Sequence, residues 1–176
     1  MKICDYVKYY KTEDYLFGEM ANNIRARSPI HITLEELLYI TFWKSPRNLR
    51  SVMKNNSQDV IEITKGGLNK KEGLEKTLAL TTRINGKKLT GVGVAIASAI
   101  LTIIDPEQYG VIDFHAWHAL YGEKKSLFSA KDYLKYLNDI KRIAEEEGVT
   151  PREIDKGLLI KDTGIAEIII QNQSEQ

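Results

Sequence analysis

Residues 89–122 read LTGVGVAIASAILTIIDPEQYGVIDFHAWHALYG. Gly91 and Gly93 stand one residue apart, a nearly charge-free run follows, and then a lone acid, Asp113, sits between Ile112 and Phe114 ahead of an aromatic cluster. The small residues of AIASAIL suit a helix that packs closely on its neighbours. After INGKKLTGVG, this run reads as the second arm of a helical hairpin at about 75–104, with the first arm ending near Arg83. Gly91 and Gly93 can take backbone angles closed to other residues and leave the amides of the second helix bare. Amides at the positive end of a helix favour an anion. With Lys87 and Lys88 just upstream, nucleic-acid phosphate is the anion that fits, gripped by backbone and so without sequence readout. A glycine turn between packed helices, with Ala95, Ala97 and Ala99 serving only close contact, looks the same.

Asp113 also has two compatible readings. It is placed to cap a helix of about two turns, FHAWHALY, by accepting from the amide of His115 or Ala116. It is equally a carboxylate in apolar surroundings, facing the same cleft as the glycine turn. His115 and His118 share a helix face at ligand-like spacing, but no third ligand lies near them in the sequence and His31 is too distant along the chain to place, so a metal site is not expected. Trp117 reads as core or platform.

Outward from this stretch, nearly every start and stop signal is helical. In TLEELLYITFWK, Thr33 is placed as a cap, Glu35 and Glu36 favour the positive end of the helix, and Leu34, Leu37, Leu38 and Phe42 follow its period. SPRNLRSVMKNN puts Ser45 at a cap and Pro46 at the first helical position, so WKSPR marks a tight junction between helices. Within it Trp43 is a packing residue, and Lys44 and Arg47 are surface charges able to meet phosphate. SQDVIEIT suggests a short helix from Ser57, weakened by β-branched Val60, Ile61 and Ile63. KKEGLEKTLALTTR is helical despite Gly73. SAKDYLKYLNDIKRIAEEEG opens with a capping box, Ser129 with Asp132, and stops at Gly148. TPREIDKGLLIK repeats the cap-then-proline device at Thr150 and Pro151. The tail IAEIIIQNQSEQ suits either a last amphipathic turn or a short strand. The expected fold is all-α, a compact bundle of about eight to ten helices by these signals. It forms one domain over 1–176, or two closely packed lobes with a cleft between them.

The 176 residues carry a formal net charge of +1, which gives no long-range field to imply a polyanion, although a local patch suffices for one. Cys4 is the only cysteine, so no intramolecular disulfide and no four-thiolate zinc or iron–sulfur site is possible within the chain. The opening MKICDYVKYYKTEDYLF lacks the apolar core of a signal peptide, and no stretch has the apolar length of a membrane span. A soluble, cytoplasmic protein is expected.

LTGVGVAIASAIL and VIDFHAWH together resemble the helix-hairpin-helix DNA N-glycosylase superfamily. Its members share a hairpin Leu-Pro-Gly-Val-Gly, a small-residue helix, and about eighteen residues later an aspartate in a Val-x-Asp-x-His context. HAWH is most similar to the 8-oxoguanine glycosylase branch. The resemblance implies a glycosylase-like fold, a catalytic role for Asp113, and a phosphate grip by the backbone at Leu89, Gly91, Gly93 and Ala95, with Lys87, Lys88 and Thr90 beside it. It makes His115 a phosphate or sugar contact. It further implies double-stranded DNA as partner, bound without sequence preference, a nucleoid association if so, and at most a monovalent cation at the hairpin. In the family this aspartate stabilises positive charge on the sugar as the base leaves.

Two departures matter. Where bifunctional members carry a Schiff-base lysine, two residues after the second glycine, this chain has Ala95, so lyase chemistry is not expected. Thr90 replaces the usual proline. The expected function is a monofunctional DNA N-glycosylase; the alternatives are a non-catalytic relative binding DNA or protein, and a purely structural hairpin in an unrelated helical protein.

Overall fold

The computed structural model describes residues 2, 3, 5, 15–83 and 86–165. Cys4, Ile84, Asn85 and the tail beyond Ile165 lie outside them, and with them the reading of the tail as turn or strand. Among the described residues there are nine α-helices and no β-strand: α1 (Ala21–Arg25), α2 (Leu34–Lys44), α3 (Leu49–Val52), α4 (Ser57–Leu68), α5 (Gly73–Thr81), α6 (Val94–Ile104), α7 (Phe114–Tyr121), α8 (Ala130–Glu147) and α9 (Pro151–Thr163). A π-helical turn, Leu16–Met20, leads into α1, and a 3-10 turn, Pro46–Asn48, joins α2 to α3. No described helix is long and apolar enough to cross a membrane.

The organising element is α6. Its sequence VAIASAILTII is apolar all round, and nine of its eleven residues are buried, as expected of a helix enclosed on every side. α2, α5 and α8 pack around it, α4 pairs with α5, and α9 bridges α8 and α7. One buried cluster runs from Leu16 to Leu158 through Ile96, Ile100 and Ile103. At the far end of α6, Arg25 donates from Nε to the Ile104 carbonyl at 2.7 Å and from a terminal nitrogen to that of Ile103 at 3.1 Å, satisfying carbonyls that a helix end leaves over.

Most helix starts follow the sequence signals. Thr33, Ser129 and Thr150 each form a complete capping box, with Glu36, Asp132 and Glu153 respectively. Gly148 ends α8 in the left-handed conformation at φ 72°. One junction differs from expectation, and α4, which starts at Ser57 as expected, outruns it. Ser45 makes no side-chain cap, because the chain after α2 winds into the 3-10 turn before α3 begins at Leu49. The cap of α4 is Asn56, whose Oδ1 accepts from the amides of Gln58 and Asp59, and the helix runs on to Leu68. Its β-branched residues do not shorten it, since Val60 and Ile63 gain burial against the core, which outweighs their weak helix propensity.

Candidate active site

Asp113 is held in place by the three residues before it. Gly110, Val111 and Ile112 run between α6 and α7 outside any regular element, yet they are buried, so their backbone polar groups need partners. Side chains from three helices supply them. Tyr133 and Tyr136 of α8 donate to the carbonyls of Gly110 and Val111, at 3.1 and 3.3 Å. Asp155 of α9 accepts from the Val111 amide, and Ser98 of α6 from that of Ile112 at 3.1 Å. Burial pushes both tyrosine hydroxyls well above their usual pKa, so they remain donors. Asp155 is itself ion-paired with buried Arg152. Space is tight at Gly110: a Cβ would displace the tip of Ile140 and come within 3.0 Å of Asp155 Oδ2 and 3.1 Å of the Pro151 carbonyl oxygen.

Out of this anchored segment Asp113 emerges at the start of α7. Its Oδ1 accepts from the Ala116 amide at 2.8 Å, as the capping reading expected. Its Oδ2 takes a second partner, Lys44 Nζ, at 3.2 Å. The Asp113 side chain is 24% exposed and that of Lys44 only 11%. The aspartate is therefore both a cap and an accessible carboxylate. It lines a cleft of about 530 Å³ together with Lys44 at the end of α2, Pro46 and Arg47 of the turn that follows, Ala95 in the first turn of α6, and Phe114, His115 and Phe128. A smaller hollow of about 190 Å³ touches Asp113 and Lys44 from the other side, beside Trp43, Arg152 and Asp155.

The glycine turn meets the expectation in part. Gly91 has φ 79° and packs against α3, where a Cβ would approach Ser51 Cβ to 2.9 Å and the Val52 amide nitrogen to 3.0 Å. Gly93 departs from it: its φ of −101° and ψ of −177° are open to any residue, and no atom lies within 4 Å of where a Cβ would stand. Among the described residues α6 starts with no side-chain cap, and Ala95 of that turn lines the cleft with Asp113. Leu89 is fully buried and serves the core with its side chain. The Thr90 amide donates to Asn55 Oδ1 at 2.7 Å.

The carbonyls of Thr90 and Gly91 already accept from Asn55 and Asn48, at 2.9 and 3.3 Å. Among the described residues no group of three or more His, Cys, Asp and Glu is arranged for a metal ion.

The basic residues before the turn are unlike each other. Lys87 Nζ sits 2.7 Å from Asp59 Oδ1 and 2.6 Å from Glu62 Oε2 of α4. The hydrogen bonds to Asp59 and Glu62 raise its pKa, within a surface ion-pair group whose members stay 40–47% exposed. Lys88 is exposed.

His115 lines the cleft but is not alone. Its Nδ1–H and that of His118 donate to the two oxygens of a single carboxylate, Asp162 of α9, at 2.7 and 2.6 Å. Burial by itself would raise the Asp162 pKa, but the hydrogen bonds from His118 and His115 hold it below the usual carboxylate range. The clamp fixes both rings with Nε2 turned away from Asp162. His31 bonds the Pro29 carbonyl and does not line the cleft. Trp117 is buried against Tyr121 and Phe128, and Trp43 packs on Phe17, both as read.

Lys44 and Asp162 are the site residues that sequence reading undervalued. Lys44 was visible only as a surface charge, because its carboxylate partner lies 69 positions away; Asp162 offered no signal at all.

No protein-family model, no curated protein and no solved structure matches this chain.

Proposed function

We propose that the protein binds double-stranded DNA through the Lys44–Asp113 cleft and acts as a monofunctional DNA N-glycosylase. The observation that carries this reading is the convergence of Asp113 and the uncapped first turn of α6 on one cleft. An accessible carboxylate fixed by its own helix, with its approach backed by buried hydrogen bonds, is suited to stabilising positive charge on a sugar as a base departs. The amides of α6 and the side chains of Lys44 and Arg47 supply the complement for the flanking phosphate. Phe114 and Phe128 present ring faces on which an unstacked base can lie. Water is the nucleophile, and Asp113 both orients it and balances the charge on the sugar.

Ala95 contributes no amine, and the amine nearest the carboxylate is that of Lys44. The absence of an amine at position 95, two residues after Gly93, is what makes the reading monofunctional.

The test uses duplex oligonucleotides bearing a panel of damaged and mispaired bases, followed by hot alkali to break abasic strands. Excision is expected on at least one lesion, and Asp113→Asn should lower it by at least about a hundredfold; the helix cap is kept, because asparagine caps a helix as well as aspartate, while the ion pair with Lys44 is lost. Borohydride should trap no protein–DNA adduct. Absence of Asp113-dependent product on every lesion refutes the enzyme. Salt-sensitive duplex binding that survives the same substitution would then favour the non-catalytic binding protein, a reading supported by Ala95 and the net charge of +1.

A further inference from the structure

We propose that the smaller hollow behind the Lys44–Asp113 pair is the inlet through which water reaches Asp113 while a nucleotide fills the cleft in front; this rests on the cleft being the site of base excision. Among the described residues only Lys44 and Asp113 line both spaces. Their ion pair is thus the partition between a cleft of about 530 Å³ and a hollow of about 190 Å³.

Hydrolysis needs a water at the sugar carbon that loses the base. A nucleotide with its base on Phe114 and Phe128 and its phosphate at the start of α6 takes up the cleft and expels the water there. The hollow lies outside that path, since Trp43, Val111, Arg152, Asp155 and Leu159 line it and not the cleft. It therefore keeps water on the protein side of the carboxylate.

Its lining suits that occupant. Arg152 and Asp155 are 5% and 3% exposed and both border the hollow; water is the ligand that solvates buried charges without displacing either partner. The walls are fixed. The Arg152 guanidinium carbon lies 4.8 Å from the centre of the Phe17 ring and 5.7 Å from that of Trp43, and Asp155 holds both Arg152 and the Val111 amide. Water from this side meets Asp113 Oδ2, the oxygen that the Ala116 amide does not use. As the bond from the anomeric carbon to the base breaks, its electron pair leaves with the base. The water oxygen forms the new bond to that carbon, and the proton it sheds passes to Oδ2 and then through solvent to the departed base. Leu159, the half-buried apolar side chain that α9 adds to the lining, sets the bore.

The experiment uses the full chain, the lesion duplex that wild type excises best, and aqueous methanol as a second nucleophile. Mass spectrometry reads the share of methyl deoxyriboside against free abasic sugar, beside single-turnover rate and duplex affinity. Leu159→Ala widens the hollow and should raise the methyl glycoside share by about threefold, whereas Leu159→Trp fills it and should lower that share while slowing excision by about tenfold. Both variants should bind the duplex as wild type does. Leu159→Ala is decisive even where tryptophan is not tolerated, because its share must rise. Equal shares in all three proteins, whatever their rates, overturn the inlet but leave the excision reading standing, since the nucleophile then arrives through the cleft. Absence of Asp113-dependent excision by the wild-type protein overturns the inlet and the excision site together.

Discussion

The first turns of α6 and α7 face the same cleft, yet among the described residues one lacks a side-chain cap and the other is closed by Asp113. The chain leading into α7 is fastened by Tyr133, Tyr136, Asp155 and Ser98, all from the protein interior. The turn leading into α6 is held by Asn48 and Asn55 through its carbonyls and one amide, while the helix start itself takes nothing from a side chain. The contrast separates two uses of the same local chemistry. At α7 a helix amide takes one carboxylate oxygen and fixes the acid; at α6 no side chain among the described residues plays that part.

The α7 side breaks most readily at its support. Asp155→Ala removes the acceptor of the Val111 amide and the carboxylate beside buried Arg152, and should cost about 3–5 kcal/mol of stability, read as a lower urea midpoint at unchanged slope. A loss below about 1 kcal/mol would show that the segment before Asp113 is held by packing alone.

The α6 side breaks at Gly91. Alanine there must hold φ near 79° with its Cβ against Ser51 and Val52, at a cost of about 1–3 kcal/mol. Duplex affinity should fall with it, since the turn shifts away from α3, and calorimetry with DNA titration reads both.

Acid tests the ion pairs near the cleft. The hydrogen bond from Lys125 brings the Asp132 carboxyl down to about 2 from an ordinary 3.8, and Asp162 is lowered as well. A depressed folded pKa adds stability above the unfolded value and loses it as protons bind the native acid. The contribution should therefore be intact above about pH 5 and fade between about pH 4 and 2. Solvent screening limits Asp132 to about 1 kcal/mol. Asp132→Asn should flatten that part of a stability–pH curve.

The finest test exchanges one helix start for the other. Gly93→Ser places a side-chain acceptor on the α6 amides in a conformation any residue adopts, with no atom within 4 Å of the new Cβ. Stability should rise by a few tenths of a kcal/mol, while duplex affinity drops severalfold because the serine hydroxyl competes with phosphate for the amides. Unchanged affinity would remove the α6 amides from the binding site.

Local signals were the legible part of this molecule. Thr33, Ser129, Thr150 and Gly148 work within four residues of themselves, so their roles can be read directly. The same holds for Asp113 as a cap and Gly91 as a turn. What escaped reading depends on contacts across the fold. Lys87 stands beside the hairpin in sequence, but α4 brings two acids to it. Lys44 meets Asp113, and Asp162 meets two histidines, only through the packing of α2 on α6 and of α9 on α7. Pro46 signalled a helix start correctly in kind, but the turn it begins is 3-10, because the geometry of the α2–α3 corner decides that.

The pairing of Lys44 with Asp113 has a consequence for traffic through the cleft. One ammonium serves two customers, the resident acid and any incoming anion, and whatever it gives to the newcomer it withdraws from the acid. On the glycosylase reading proposed above, occupancy by a phosphate would unmask negative potential at the carboxylate as the sugar turns cationic, so that arrival and activation become a single event.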